Sequence, residues 1–134
     1  MAGQPSTPGA NKMLDALTGR ATQTAQTTYL ALCTTAPTDS ALGTELVAGN
    51  GYARQAVTWT APSGDPSSTE NTALITFGPF TTDFGNVTHL MLMDVSTGGT
   101  ASNMLAYWTA DVAKDPANGD SITIAAGALT MTAD

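Results

Sequence analysis

The 134-residue chain is predicted to be all-β: a single-domain antiparallel β-sandwich with one short N-terminal helix and a flexible N-terminal arm. Three features carry that expectation. About seven short apolar or alternating runs recur along the chain, each bounded by Gly, Pro, Asn, Asp or Ser, the pattern of a sandwich or barrel. One of them, Asn86–Asp94, is largely apolar on both faces, as suits a strand inside a domain. Charged residues make up only 11% of the chain, against roughly 25% in an average soluble protein, and Thr, Ala, Ser and Gly fill the gap. Such a surface suits extended strands and neutral contacts with neighbours. Residues 1–20 are read as arm and helix, and residues 21–134 as the sandwich.

Met1–Ala10 shows no apolar period. It reads as an arm, either a disordered tail or a segment lying across a neighbouring subunit. Asn11–Gly19 reads as the helix: Asn11 caps it, Met13, Leu14 and Leu17 share one face, and Gly19 supplies a left-handed stop. So short a helix is marginal alone in water. It is expected to dock on its own sandwich or on a partner, and Met13, Leu14 and Leu17 are the candidate partner-binding residues.

Thr27–Thr34 is the first strand, with Tyr29, Ala31 and Cys33 on one face and Leu30 and Leu32 on the other. Thr35-Ala36-Pro37-Thr38-Asp39 turns the chain, and Thr44–Val47 fits a short edge segment. Gly49-Asn50-Gly51 launches Tyr52–Thr60, a half-buried strand with Trp59 in the core. Ala61–Ser68, with Pro62, Gly64 and Pro66, is a loop, and Asn71–Phe77 is the next strand, ended by Gly78-Pro79. Phe80 and Phe84 are expected to cover one end of the sandwich. In Asn86–Asp94, strict alternation sends Val87, His89, Met91 and Met93 one way and Thr88, Leu90, Leu92 and Asp94 the other. Thr97-Gly98-Gly99-Thr100 folds that strand back onto Met104–Thr109, since Gly accepts the positive φ of a tight hairpin. This hairpin is the expected centre of the domain. Asp115–Asp120 is a further turn cluster, and Ser121–Ile124 and Ala128–Thr132 are the last two runs.

The composition excludes several functions. The net charge is −7, and the four basic residues, Lys12, Arg20, Arg54 and Lys114, are scattered, whereas nucleic-acid binding needs them clustered. No stretch approaches a membrane span. No signal peptide is expected, and the chain is expected to be made in a cytoplasm. Cys33 is the one cysteine, so no internal disulfide can form; it reads as a buried small hydrophobe rather than a reactive thiol.

The one histidine, His89, lies mid-strand and reads as an interior or interface residue rather than a catalytic base. Arg54 reads as a salt-bridge or backbone-binding residue. Asp115, Asn118 and Asp120 read as a turn rather than a calcium loop, because no later bidentate Glu follows. Asn86-Val87-Thr88 matches a glycosylation acceptor, but nothing else suggests a secretory route. Tyr52, Trp59, Tyr107 and Trp108 are candidates for stacking on a sugar, with core packing the preferred reading. With dispersed carboxylates and no nucleophile elbow or phosphate loop, the chain is expected to be no enzyme and to hold no cofactor or metal. The rival, a small envelope hydrolase, would have to rest on His89 and Asp94.

Several short motifs occur in order: Leu14-Asp-Ala-Leu17 with Gly19-Arg-Ala21, Tyr29-Leu-Ala-Leu32 with Thr35-Ala-Pro-Thr38, Gly51-Tyr-Ala-Arg-Gln55, Phe84-Gly-Asn-Val-Thr-His89, Asp94 with Gly98-Gly99, and Ala126-Gly-Ala-Leu-Thr130. The run resembles the small virion proteins of tailed bacteriophages: tail-fibre-like or minor tail proteins, with head decoration proteins in some such groups. The resemblance extends from about Asn11 onward, as a single-domain length allows. Phe84 departs from the Trp expected in many relatives.

The resemblance implies a non-enzymatic virion protein without catalytic residues to carry over. It also implies a homo-oligomer, with a trimer at a threefold position as the first expectation, and the major capsid protein or other virion subunits as partners. One compact domain with an arm and a helix, and no fibre repeat or coiled coil, leans towards a capsid decoration (cement) protein on the head. The alternative is a tail-fibre or baseplate subunit that contacts the host surface.

Overall fold

The computed structural model describes residues 1–133. In chain order these form β1 (Ala2–Pro5), α1 (Thr7–Thr18), β2 (Thr28–Cys33), β3 (Gln55–Val57), β4 (Ser67–Glu70), β5 (Ile75–Phe77), β6 (Val87–Met93), β7 (Met104–Lys114), β8 (Ile122–Ile124) and β9 (Thr130–Ala133). A 3-10 turn, Ala101–Asn103, precedes β7. The protein is all-β with one short helix, as the sequence predicts. Seven strands make one curled sheet in the order β3-β2-β6-β7-β1-β9-β4, and β5 and β8 pair as a separate ribbon.

The β6–β7 hairpin lies in the middle of that sheet, where Leu30 pairs with Leu92 and Leu90 with Trp108. One face carries Leu30, Leu32, Leu90, Leu92, Ala106 and Trp108, packed with Phe77, Ile122 and Ile124 of the ribbon. The other buries Ala31, Cys33, Met91, Met93 and Met104. Strict alternation fails twice, at register shifts between Val87 and His89 and between Leu92 and Met93. Each shift adds residues to the β7 side and turns a β-bulge. Val87 therefore joins Leu90 and Leu92 in the larger cluster rather than Met91. For the same reason Met104 and Ala106 fall in different clusters. β7 also runs past Thr109 to Lys114.

The first ten residues are not a free arm. β1 lies between β7, to which it is antiparallel (Gln4 opposite Tyr107), and β9, to which it is parallel (Gly3 opposite Met131). The sheet is thus not wholly antiparallel. Ladder pairing draws on backbone groups, so a segment without apolar side chains can still be a strand. Gly3 sits flat on the Trp108 indole, where a Cβ would have no room. Met1 extends the contact: its carbonyl accepts from Thr130 N at 2.9 Å.

α1 begins four residues earlier than Asn11. The Ser6 hydroxyl caps it, accepting from Gly9 N at 3.1 Å, and Pro8 occupies the first turn. Ser-Thr-Pro is a start signal that the arm-like composition hid. Gly19 ends the helix at φ 69°, as expected.

Two further expectations shift. Ala61–Ser68 is not all loop, because Ser67 opens β4, which pairs with β9. The runs Tyr52–Thr60 and Asn71–Phe77 shorten to three-residue strands. Asn71 is instead buried as a bracket: its side chain donates to the carbonyls of Ala73 and Ala125 and accepts from Leu129 N, each at 2.9 Å.

Candidate interaction surface

The residues with catalytic potential are occupied separately. His89 is half-buried, its Nδ1 2.8 Å from the Thr88 hydroxyl, which in turn donates to Thr34 O. Asp94 accepts from Asn103 Nδ2 at 2.8 Å and pairs with Lys12 at 3.7 Å. Cys33 is fully buried, and burial, helped by the Glu45 charge, pushes its thiol up to about 12. Among the described residues no three His, Cys, Asp or Glu side chains gather as a metal site. At the Asp115–Asp120 turn, Asp120 accepts from Ala117 N, and Asp83, from the segment before β6, accepts from Asn118 N. No helix among the described residues is long and apolar enough to cross a membrane.

Arg54 has the structural role expected of it. Its guanidinium makes a fork on Glu45, with Nε to Oε1 at 2.8 Å and Nη2 to Oε2 at 2.6 Å. It also donates to the carbonyls of Val95 and Gly98. Tyr52 donates to the same Glu45 at 2.7 Å while its oxygen accepts from Leu32 N. The group ties the β6–β7 connection to the segment before β3. The Glu45 carboxylate raises the Arg54 pKa, and burial followed by the bond to Glu45 raises that of Tyr52.

The aromatic residues do not line one platform. Tyr52 and Trp108 are in the core. Trp59 is partly buried and stacks on Trp108 with centroids 6.1 Å apart, its Nε1 donating to the Thr28 hydroxyl. The Tyr107 hydroxyl is bound to Asp39.

Among the described residues, α1 gathers three large exposed apolar side chains on one short element, whereas Val47, Leu74 and Val112 are exposed singly elsewhere. The helix rests on the sheet through Gly9, which lies so close to the Leu105 backbone that a Cβ would collide with the carbonyl, and through the Lys12–Asp94 pair. That contact turns Met13, Leu14 and Leu17 outward, 48%, 58% and 84% exposed. Two apolar clefts flank Met13. One, of about 290 Å³, is lined by Pro5, Pro62, Thr69 and Met131; the other, of about 190 Å³, by Gly9, Lys12, Leu92 and Leu105. Sequence singled out the three helix residues. It missed Pro5, Leu105 and Met131, which are far apart in the chain and meet only because β1 lies between β7 and β9.

A family model described as podophage GP4 fiber I protein gp80 matches residues 4–132. The chain belongs to this family. It is thus a virion structural protein of tailed phages. The match runs from within β1 to within β9 and so includes α1. A search of curated proteins found no match.

Proposed function

We propose that the protein is a non-enzymatic subunit of a phage fibre or of the adjoining tail structure, placed to contact other virion subunits and the host surface. The observation that carries this reading is the match to a fibre-protein family over residues 4–132. The separate occupation of His89, Cys33 and Asp94 supports the non-enzymatic part. The decoration reading suggested by the small size and single helix has no comparable support, because both features suit a fibre module equally well.

Copy number separates the two. Quantitative densitometry of purified virions, scaled to the major capsid protein, is expected to give tens of copies or fewer per particle. Hundreds of copies in a simple ratio to the capsid protein would return the chain to the head. Labelled antibody should mark the tail end of the particle in micrographs.

A further inference from the structure

We propose that Asn50-Gly51 is a site of spontaneous covalent modification, at which the folded chain converts Asn50 to isoaspartate and aspartate with loss of ammonia, while the fold protects the other Asn-Gly pair, Asn118-Gly119. Two of the chain's asparagines precede glycine, the neighbour that puts no side chain in the way of this reaction. Both pairs lie in exposed turns, so sequence and exposure alone treat them alike.

The two glycine nitrogens are held differently. Asn50 and Gly51 form the tip of a two-residue turn closed by main-chain bonds between Gly49 and Tyr52, at 3.0 and 2.9 Å. Their φ values, 52° and 84°, are both positive, as in the type I′ hairpin turn that favours Asn-Gly. The closing bonds run between the flanking residues, and Gly51 N donates to no group among the described residues. Gly119 N, in contrast, donates to Phe80 O at 2.6 Å. Around it, Asn118 N donates to Asp83 at 2.8 Å and Asp120 N to Ala117 O at 3.0 Å. The Gly119 nitrogen is thus fixed on both sides, and freeing it costs a hydrogen bond.

An unbonded nitrogen is what the chemistry needs. Gly51 N gives its proton to hydroxide and bonds to the side-chain carbonyl carbon of Asn50. The bond from that carbon to Nδ2 breaks, and Nδ2 leaves as ammonia, taking a proton from water. The cyclic imide that remains is opened by a second water. Cleavage at the side-chain carbonyl gives aspartate; cleavage at the Asn50 main-chain carbonyl routes the main chain through the side chain and gives isoaspartate. Either product puts a carboxylate where a neutral amide stood. Isoaspartate also lengthens the main chain by a carbon, in a turn clamped on its neighbours. Asn50 O accepts from Thr81 N at 2.9 Å, and Gly51 lies so close to Pro79 O that a Cβ would collide with it. The next residue, Tyr52, is in the core and bonded to Glu45 and to Leu32 N. Conversion at the tip therefore loosens the contact between this turn and Pro79–Thr81.

The test uses the full chain and trypsin. Cleavage after Arg20, Arg54 and Lys114 leaves Asn50 as the one asparagine of residues 21–54 and Asn118 as the one asparagine of residues 115–134. The native chain is incubated at mildly alkaline pH, and both peptides are followed by mass spectrometry, with isoaspartate read by an isoaspartate-specific methyltransferase. Asn50 should convert at least about 5-fold faster than Asn118, the factor that one ordinary hydrogen bond supplies, and isoaspartate should exceed aspartate. In urea, where neither turn exists, the two should convert at similar rates. Converted chains should melt below unconverted ones; equal melting would break the link from the turn to Pro79–Thr81. Equal native rates, or a faster Asn118, overturn the proposal, because the fold would then not distinguish the two nitrogens. So does a native Asn50 that stays intact while the unfolded chain converts, since the closed turn would then deny the imide its geometry. Aspartate without isoaspartate would overturn the cyclic route.

Discussion

Leu30 and Leu32 on β2 and Leu14 and Leu17 on α1 are the same residue type a short distance apart in the chain, in opposite settings. The first pair is fully buried between the sheet and the β5–β8 ribbon; the second is 58% and 84% exposed. The apolar strand residues hold the domain together, whereas the apolar helix residues contribute little to it. α1 is held by a cap at Ser6, a glycine on a strand backbone and one ion pair, none of which involves its hydrophobic stripe. Apolar periodicity in a sequence shows which face of an element seeks a nonpolar contact. It does not show whether the same chain supplies that contact.

Truncating the buried leucine gives the largest expected effect. Leu32→Ala should cost about 2–5 kcal/mol, the range for emptying a packed core site. Urea denaturation would read it as a lower midpoint at unchanged slope. A loss under about 1 kcal/mol would mean that the site collapses around the cavity and that β2 matters less than its burial suggests.

The next effect belongs to the polar part of the same region. Glu45→Ala leaves the Arg54 side chain, only 5% exposed, with two carbonyls in place of a carboxylate. Breaking a buried pair costs about 3–5 kcal/mol; with Glu45 24% exposed, roughly 2 kcal/mol is expected. Glu45→Gln keeps an acceptor and should lose less. If Glu45→Ala melts like the wild type, the network does not pin the β6–β7 connection.

The sequence revealed the core of the sheet because β2 and β6 are apolar on both faces, and only interior strands are built that way. It revealed the buried Cys33, the Arg54 ion pair and the outline of α1 from local pattern alone. It did not reveal β1, because Ala-Gly-Gln-Pro offers no apolar period and its place between β7 and β9 depends on pairing with strands about a hundred residues away. Nor did it reveal the two bulges, which follow from unequal strand lengths rather than from residue type. The three helix residues were legible as an apolar stripe. Their exposure was not, because it follows from Gly9 meeting Leu105 from the other side of the helix.

A smaller effect should appear in alkali. The Cys33 thiol ionises near 9 in an unfolded chain and is pushed up to about 12 by burial. The folded state therefore keeps a proton that the unfolded state gives up. The resulting stability is fully present below pH 9 and is lost as pH rises towards 12. By pH 10 the loss is about 1 kcal/mol. Urea denaturation at pH 8 and pH 10 should show the wild type losing that much more than Cys33→Ala; equal losses would mean that the thiol is less buried than the fold implies.

The smallest effect completes the contrast between the two leucine pairs. Leu17→Ala removes the same atoms as Leu32→Ala, but from a side chain that water already surrounds, so no cavity opens and little transfer energy is lost. Alanine is also the better helix former, which offsets part of whatever contact is lost. The monomer should change by no more than about 0.5 kcal/mol, or roughly 2 °C in melting temperature. A loss above about 1 kcal/mol would mean that Leu17 does pack within its own chain, and the contrast between the buried and the exposed leucines would fail at that position.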